Sequence, residues 1–105
     1  MQFFFTDIFK KEVKQHAQNN KNLRNRIDEC ILDFKEHFLD SRYYRKPLKG
    51  YEKEDIHELS VGGDPRIFIQ IFKKEDECYF LNFGTHASLE LKSKKRLRID
   101  LVRKR

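Results

Sequence analysis

Residues 66–72, Arg66-Ile67-Phe68-Ile69-Gln70-Ile71-Phe72, decide the fold of this chain. Successive side chains of a strand point to opposite faces. Here the two sets are Ile67, Ile69, Ile71 and Phe68, Gln70, Phe72, and both are largely apolar. A strand that is apolar on both faces belongs in the middle of a sheet. Before it stands Gly62-Gly63-Asp64-Pro65, a dense turn signal, and before that residues 56–61 (IHELSV) alternate as a strand does. After it, Lys73-Lys74-Glu75-Asp76-Glu77 makes a charged turn, and Cys78-Tyr79-Phe80-Leu81-Asn82-Phe83-Gly84 follows as the next strand. Connections this short force the three strands into an antiparallel meander.

The first half supplies what packs on that sheet. Residues 2–5 (QFFF) are short and β-prone. Thr6 offers its hydroxyl as N-cap to a helix over about 7–19, whose apolar positions Ile8, Phe9, Val13 and Ala17 share a face. Asn19-Asn20-Lys21-Asn22 interrupts the pattern. A second helix then carries Leu23, Ile27, Cys30, Ile31, Phe34 and Phe38 as one continuous stripe. Two helices so closely connected form an antiparallel hairpin, and neither hides its stripe without a second layer. The expected fold is therefore α+β: an N-terminal strand and a helical hairpin packed on one face of a mainly antiparallel four-stranded sheet. The other face is either a partly covered ligand surface or a second small core closed by the C-terminal segment.

A chain of 105 residues suits one domain. Fourteen Phe and Tyr residues argue against disorder, although charged residues make up 38% of the chain. No apolar run approaches the roughly 18–20 residues of a membrane span. The opening Met1-Gln2-Phe3-Phe4-Phe5-Thr6-Asp7 lacks a basic start and is cut short by Asp7, so no signal peptide is expected. Cys30 and Cys78 do not make a disulfide framework, and a soluble, cytoplasmic protein with reduced thiols is the expectation.

The net charge of +6 is unevenly spread. Residues 92–105 (KSKKRLRIDLVRKR) hold eight Lys or Arg against one acid, whereas the first 91 residues sum to −1. This divides the chain into a domain over 1–91 and a basic C-terminal extension over 92–105. Within the extension Leu97, Ile99 and Leu101 alternate, as in an extra strand; the other reading is a tail that tracks RNA. A second local excess, Ser41-Arg42-Tyr43-Tyr44-Arg45-Lys46-Pro47-Leu48-Lys49-Gly50-Tyr51, has four basic residues, three tyrosines and no acid. Cations meet phosphates and rings stack on unpaired bases, so this stretch, which includes Lys46, Lys49 and Tyr51, suits nucleic acid. An acidic protein partner fits the same charge, and surfaces carry lysine in any case.

Candidate chemistry is sparse. The four histidines are scattered, neither cysteine lies in a C-x-x-C pair, and no spacing matches a metal site, so no metal or other cofactor is expected. Gly62-Gly63 lacks the Lys-Ser/Thr of a phosphate loop. Cys30 lies on the apolar stripe and reads as packing. His16 and His37 sit at stripe margins, and His57 is on a strand with its face undecided. His86 differs: it follows a strand end in Asn82-Phe83-Gly84-Thr85-His86-Ala87-Ser88-Leu89, where a side chain reaches the rim of the sheet. Imidazole is suited to proton transfer near neutral pH. Arg66 begins the adjacent strand, and a guanidinium there is suited to holding a phosphate and stabilising charge in a transition state. The plainer reading is an exposed Arg66 paired with Asp64.

Taken in order, FFFTDIFKKEVKQH, the helical hairpin, PLKG, the turn before Arg-Ile-Phe-Ile, and above all FGTHASL resemble the RelE/ParE superfamily of bacterial type II toxins, most closely its YafQ-like branch. The resemblance covers about residues 2–91; each motif alone is weakly specific, and their co-linearity carries it. It implies a metal-independent endoribonuclease that acts on mRNA in the ribosomal A site and is neutralised by a cognate antitoxin, a small acidic or DNA-binding protein. His86 would be acid or base, Arg66 the catalytic arginine, and Lys46 and Lys49 phosphate contacts, with Thr85 and His57 further candidates at the substrate. Three positions depart from the family pattern. Lys46 stands where YafQ-like proteins have a His before Pro-Leu, His57 has no secure counterpart, and Pro65-Arg66 replaces an Asp-Trp pair. The alternatives are a non-enzymatic ParE-like gyrase inhibitor, a catalytically weak relative that binds RNA or antitoxin, and a general RNA-binding module driven by the tail.

Overall fold

The computed structural model describes residues 1–91, 96–97 and 99–103, and for residues 86–87, 90–91 and 96–97 it describes the backbone. Strand β1 (Gln2–Phe5) leads into helix α1 (Asp7–Ala17), and α2 (Lys21–His37) follows after a three-residue turn over 18–20. A 3-10 turn (Phe38–Asp40) leads to β2 (Tyr44–Pro47), β3 (Ile56–Ser60), β4 (Arg66–Phe72) and β5 (Glu77–Gly84). A single helical turn, α3 (His86–Leu89), runs into the two-residue strands β6 (Glu90–Leu91) and β7 (Arg96–Leu97).

The main sheet has the order β1-β5-β4-β3-β2. Only β1 runs parallel to its neighbour, β5; the remaining pairs are antiparallel. The α+β sandwich and the meander of β3, β4 and β5 are as the sequence predicts, but the sheet has five strands rather than four. The addition is β2, a basic four-residue edge strand whose alternation is broken by a bulge between Tyr44 and Lys46. Part of the tail does form a strand: β7 pairs antiparallel with β6.

Both faces of β4 are covered, which explains its double apolar pattern. On the helix side Ile67, Ile69 and Ile71 meet Phe9, Val13, Leu23, Ile27, Cys30 and Phe34. The centre of that core is Phe80, stacked on Phe5 at 4.7 Å and edge-on to Phe34 at 5.9 Å. Ring pairs of this kind add roughly 0.5–1.5 kcal/mol to the area they bury. Thr6 caps α1 as expected, its Oγ1 accepting from the Phe9 N–H at 3.1 Å. Ile8, expected on the buried stripe, is instead 41% exposed. Cys30 and Cys78 are fully buried, and burial pushes both thiols up to about 12, so they pack as apolar groups.

The outer face carries a second core, the later of the two readings open at the sequence level. Leu48, Ile56, Phe68, Leu81 and Leu89 form it, with Tyr51, Tyr79, Ile99, Leu101 and Val102 packed against them. Residues 99–102 thus belong to the packed molecule. The basic residues at positions 92, 94, 95, 98, 104 and 105, the bulk of the expected RNA-tracking tail, lie outside the described residues.

Candidate active site

The site is built where β3 ends, β4 begins and β5 ends. Arg66 is the cross-strand partner of Ser60 on one side and of Gly84 on the other. Its Nη1 donates to Ser60 Oγ (3.2 Å), to the Pro65 carbonyl (3.1 Å) and to the Gly63 carbonyl. Gly62 and Gly63 have φ of +99° and +73°, a conformation that side chains disfavour, and so turn the chain back within hydrogen-bond reach of Arg66. Arg66 Nε is buried without a hydrogen bond but lies 3.4 Å from Glu58 Oε2. The expected alternative partner, Asp64, is not the one the ion pair uses.

Glu58 organises the surrounding charge. It points to the outer face, in register with Phe68, and is 1% exposed. Its Oε2 meets Arg45 Nε at 3.3 Å as well as Arg66, and Lys46 is its cross-strand partner on β2. The bulge between Tyr44 and Lys46 breaks the alternation of β2, and Arg45 reaches the carboxylate that Lys46 stands opposite. Among the described residues two guanidiniums, of Arg45 and Arg66, thus meet one buried carboxylate. Glu58 is the residue that sequence reading missed. The available signal was a carboxylate inside a strand otherwise apolar at Ile56, Leu59 and Val61.

From Gly84 the chain turns directly into α3. Thr85 Oγ1 accepts from the Ser88 N–H (3.0 Å) while Ser88 Oγ accepts from the Thr85 N–H (2.9 Å), a reciprocal capping box. A Cβ at Gly84 would stand 2.6 Å from Ser88 Oγ and 3.1 Å from Leu89 Cγ, so only glycine lets α3 fold this closely onto the strand end. His86 is the first residue of α3, two positions past the partner of Arg66; its side chain lies outside the described residues. Lys46, opposite Glu58, and Lys49, in the turn after β2, are both exposed. Tyr51 is half-buried against the second core.

His57 is not brought to this cluster. It lies on the helix-facing side of β3, opposite Ile69, and is only 7% exposed. Its Nε2 donates to Asp55 Oδ1 (2.7 Å), an acceptor-only carboxylate, which leaves Nδ1 to accept from Tyr44 O–H at 2.9 Å in the neutral ring. Burial, and then the Asp55 charge, push the Tyr44 phenol above its ordinary value. This chain of three pins β2 to β3. Among the described residues no group of three or more His, Cys, Asp and Glu side chains is arranged to hold a metal ion.

No family model and no curated protein matches the sequence. Solved structures do match the fold. A metal-bound toxin from Helicobacter pylori superposes with a TM-score of 0.69 at 22% identity, over 85% of this chain and 98% of that one. YafQ from E. coli strain BL21(DE3) gives 0.68 at 20% identity, over 84% and 96%. The E. coli DinJ–YafQ complex gives 0.67 at 21% identity over the same shares. Each superposition spans nearly the whole of the matched chain, and the fold of this chain is that of the RelE/YafQ-like toxins.

Proposed function

We propose that this protein is the toxin of a type II toxin–antitoxin pair and cleaves mRNA on the ribosome, in the cytoplasm. The observation that carries the reading is the register of Arg66 against Gly84, which sets a guanidinium beside the strand end that leads into His86. In the proposed reaction a ribose 2′-OH attacks the adjacent phosphorus and the 5′-oxygen leaves, giving a 2′,3′-cyclic phosphate and a 5′-OH. His86 moves the proton, as acid or base. Arg66, held at Nη1 by three oxygens, keeps Nη2 for a phosphate oxygen and stabilises charge as the phosphorus becomes five-coordinate. Lys46 and Lys49 hold flanking phosphates, and the half-buried Tyr51 supports a base. Thr85 shapes the α3 turn, and His57 is assigned no substrate contact because both its nitrogens are engaged. The likeness to YafQ, which is bound by DinJ in the complex, supports a protein antitoxin as partner.

The test is an in vitro translation reaction with the purified protein, with the mRNA ends mapped. Cuts ending in cyclic phosphate are expected, and His86→Ala should slow them about 10²- to 10⁴-fold, the usual cost of losing a general acid or base. Arg66→Lys, which keeps the charge and loses the planar fork, should also slow them strongly. Intact mRNA together with inhibition of DNA gyrase supercoiling would favour the non-enzymatic alternative.

A further inference from the structure

The outer face of the sheet is occupied by the chain's own residues 99–102, and the manner of attachment is specific. The Asp100 N–H donates to Asn82 Oδ1 (2.9 Å), while Asn82 Nδ2 donates to Asp100 Oδ2 (2.8 Å) and to Glu12 Oε1 (2.8 Å). The Val102 N–H donates to Gln70 Oε1 (2.9 Å). Asn82 and Gln70 are 0% and 3% exposed, so two buried side-chain amides read the backbone of an extended segment. Asn82 is the cross-strand partner of Phe68, and Gln70 lies two residues further along β4 on the same face. The segment therefore runs alongside β4 from the level of Phe68 onward. Arg66 is the preceding residue on that face, about 6.6 Å away at 3.3 Å per strand residue.

That distance is about one extended nucleotide. The groups lying there are those a nucleotide uses: the Asn82 amide N–H, a donor for a phosphate oxygen, and a ring, Phe68, on which a base can stack. The segment supplies the matching chemistry, with the Asp100 carboxylate on the Asn82 amide and apolar Ile99, Leu101 and Val102 over the Phe68 cluster. We infer that residues 99–102 stand in for RNA. They fill the subsite for the nucleotide next to the scissile phosphate at Arg66, and single-stranded RNA displaces them to bind. This rests on the ribonuclease reading above. Ile99, Leu101 and Val102 are each only partly buried, so the segment opens at lower cost than the core strands beneath it.

The probe is a fluorescent single-stranded RNA of about eight nucleotides with one 2′-deoxy position to prevent cleavage. Amide hydrogen exchange on the full chain, with and without the probe, reads the displacement directly: exchange at Asp100 and Val102 should accelerate when the probe binds. The double variant Asp100→Pro/Val102→Pro deletes both backbone donors, and the Asp100 carboxylate with them, and changes no residue of the sheet. It should bind the probe about tenfold more tightly, as expected when a competitor loses the hydrogen bonds that hold it. Unchanged or slower exchange at these amides on binding, or equal affinity in a folded variant, overturns the inference. So does displacement by an acidic peptide of similar length but not by the RNA. If displacement and tighter binding occur while neither protein cuts mRNA on ribosomes, the cleavage reading fails and the subsite stands.

Discussion

Arg66 was visible in the sequence as a cation at a strand start, whereas Glu58, which faces it, was not. A single strand does not reveal which of two neighbouring polar residues points to a covered face. That depends on pairing with Phe68 across the sheet. The Glu58 side chain is 2% exposed between Arg45, 48% exposed, and Arg66, 13% exposed. Removing one partner of a buried ion pair costs about 3–5 kcal/mol. Arg45 can rehydrate and Arg66 keeps three oxygen acceptors, so Glu58→Ala should destabilise by about 2–3 kcal/mol in urea unfolding. Arg45→Ala should cost less than about 1 kcal/mol, because its guanidinium is half in water. Equal effects would show that the carboxylate does not hold the patch together. A second titration belongs to Asp33, whose carboxyl is held below the ordinary carboxylate range chiefly by the Ser41 hydroxyl (2.6 Å), then by His37 and Arg42. A depressed carboxyl stabilises the fold above its unfolded pKa, and that contribution is lost as pH falls through the depressed value. Ser41→Ala should move the Asp33 titration upward, towards the ordinary value, in NMR, and should reduce the acid-side loss of stability in that window.

At the scale of elements, the strand-end turn is the part of the site with least room. Gly84→Ala would press a methyl group into Ser88 Oγ at 2.6 Å and Leu89 Cγ at 3.1 Å. Ser88 Oγ is not free to turn away without giving up its bond to the Thr85 N–H. Overpacking costs typically 1–3 kcal/mol and a lost cap about 1 kcal/mol. The variant should therefore lose about 2–4 kcal/mol, read by thermal unfolding, and the proposed RNA cleavage should fall with it, because α3 carries His86, the proposed acid or base. A variant as stable and as active as the parent would separate the turn from the site. The elements that were legible are those whose side-chain period is enforced by a deep core: α2 through Leu23, Ile27, Cys30 and Phe34, and β4 through both its faces. β2 was hidden because an edge strand with a bulge has no period-2 apolar pattern; half-buried Tyr44 is followed by three exposed residues. The bulge of β5 between the partners of Phe68 and Ile69 was hidden for a similar reason, and it is what lets adjacent Leu81 and Asn82 both serve the outer side. Glu12 left a trace, since it falls between Phe9 and Val13 on the α1 stripe. It accepts from Asn82 Nδ2 and from the Phe83 N–H at 3.2 Å, satisfying the backbone next to that bulge.

For the whole molecule the decisive feature is that one sheet serves two cores, and the second is closed from the C-terminal end. Charge alone marks residues 92–105 as a solvated appendage, because it outweighs the few aliphatic side chains among the basic ones. Packing gives residues 99–102 a different weight. Ile99, Leu101 and Val102 pack against the cluster of Leu48, Ile56, Phe68, Leu81 and Leu89, in which Phe68 and Leu81 are 0% exposed. A partly buried aliphatic side chain contributes on the order of 1 kcal/mol, and each backbone bond to Asn82 or Gln70 about 1 kcal/mol net. A chain ending at Leu91 should thus lose about 3–5 kcal/mol, a large share of the roughly 5–15 kcal/mol available to a domain. The predicted result is a folded protein with a Tm lower by on the order of 15–30 °C and a newly apolar surface that binds a hydrophobic dye. A chain ending at Arg103 loses two cations and keeps the packed segment, so its Tm should stay within about 2–4 °C of the parent. If the two truncations instead melted alike, near the parent, the outer core would contribute nothing, and the double apolar face of β4 would have to be explained by a partner that covers it.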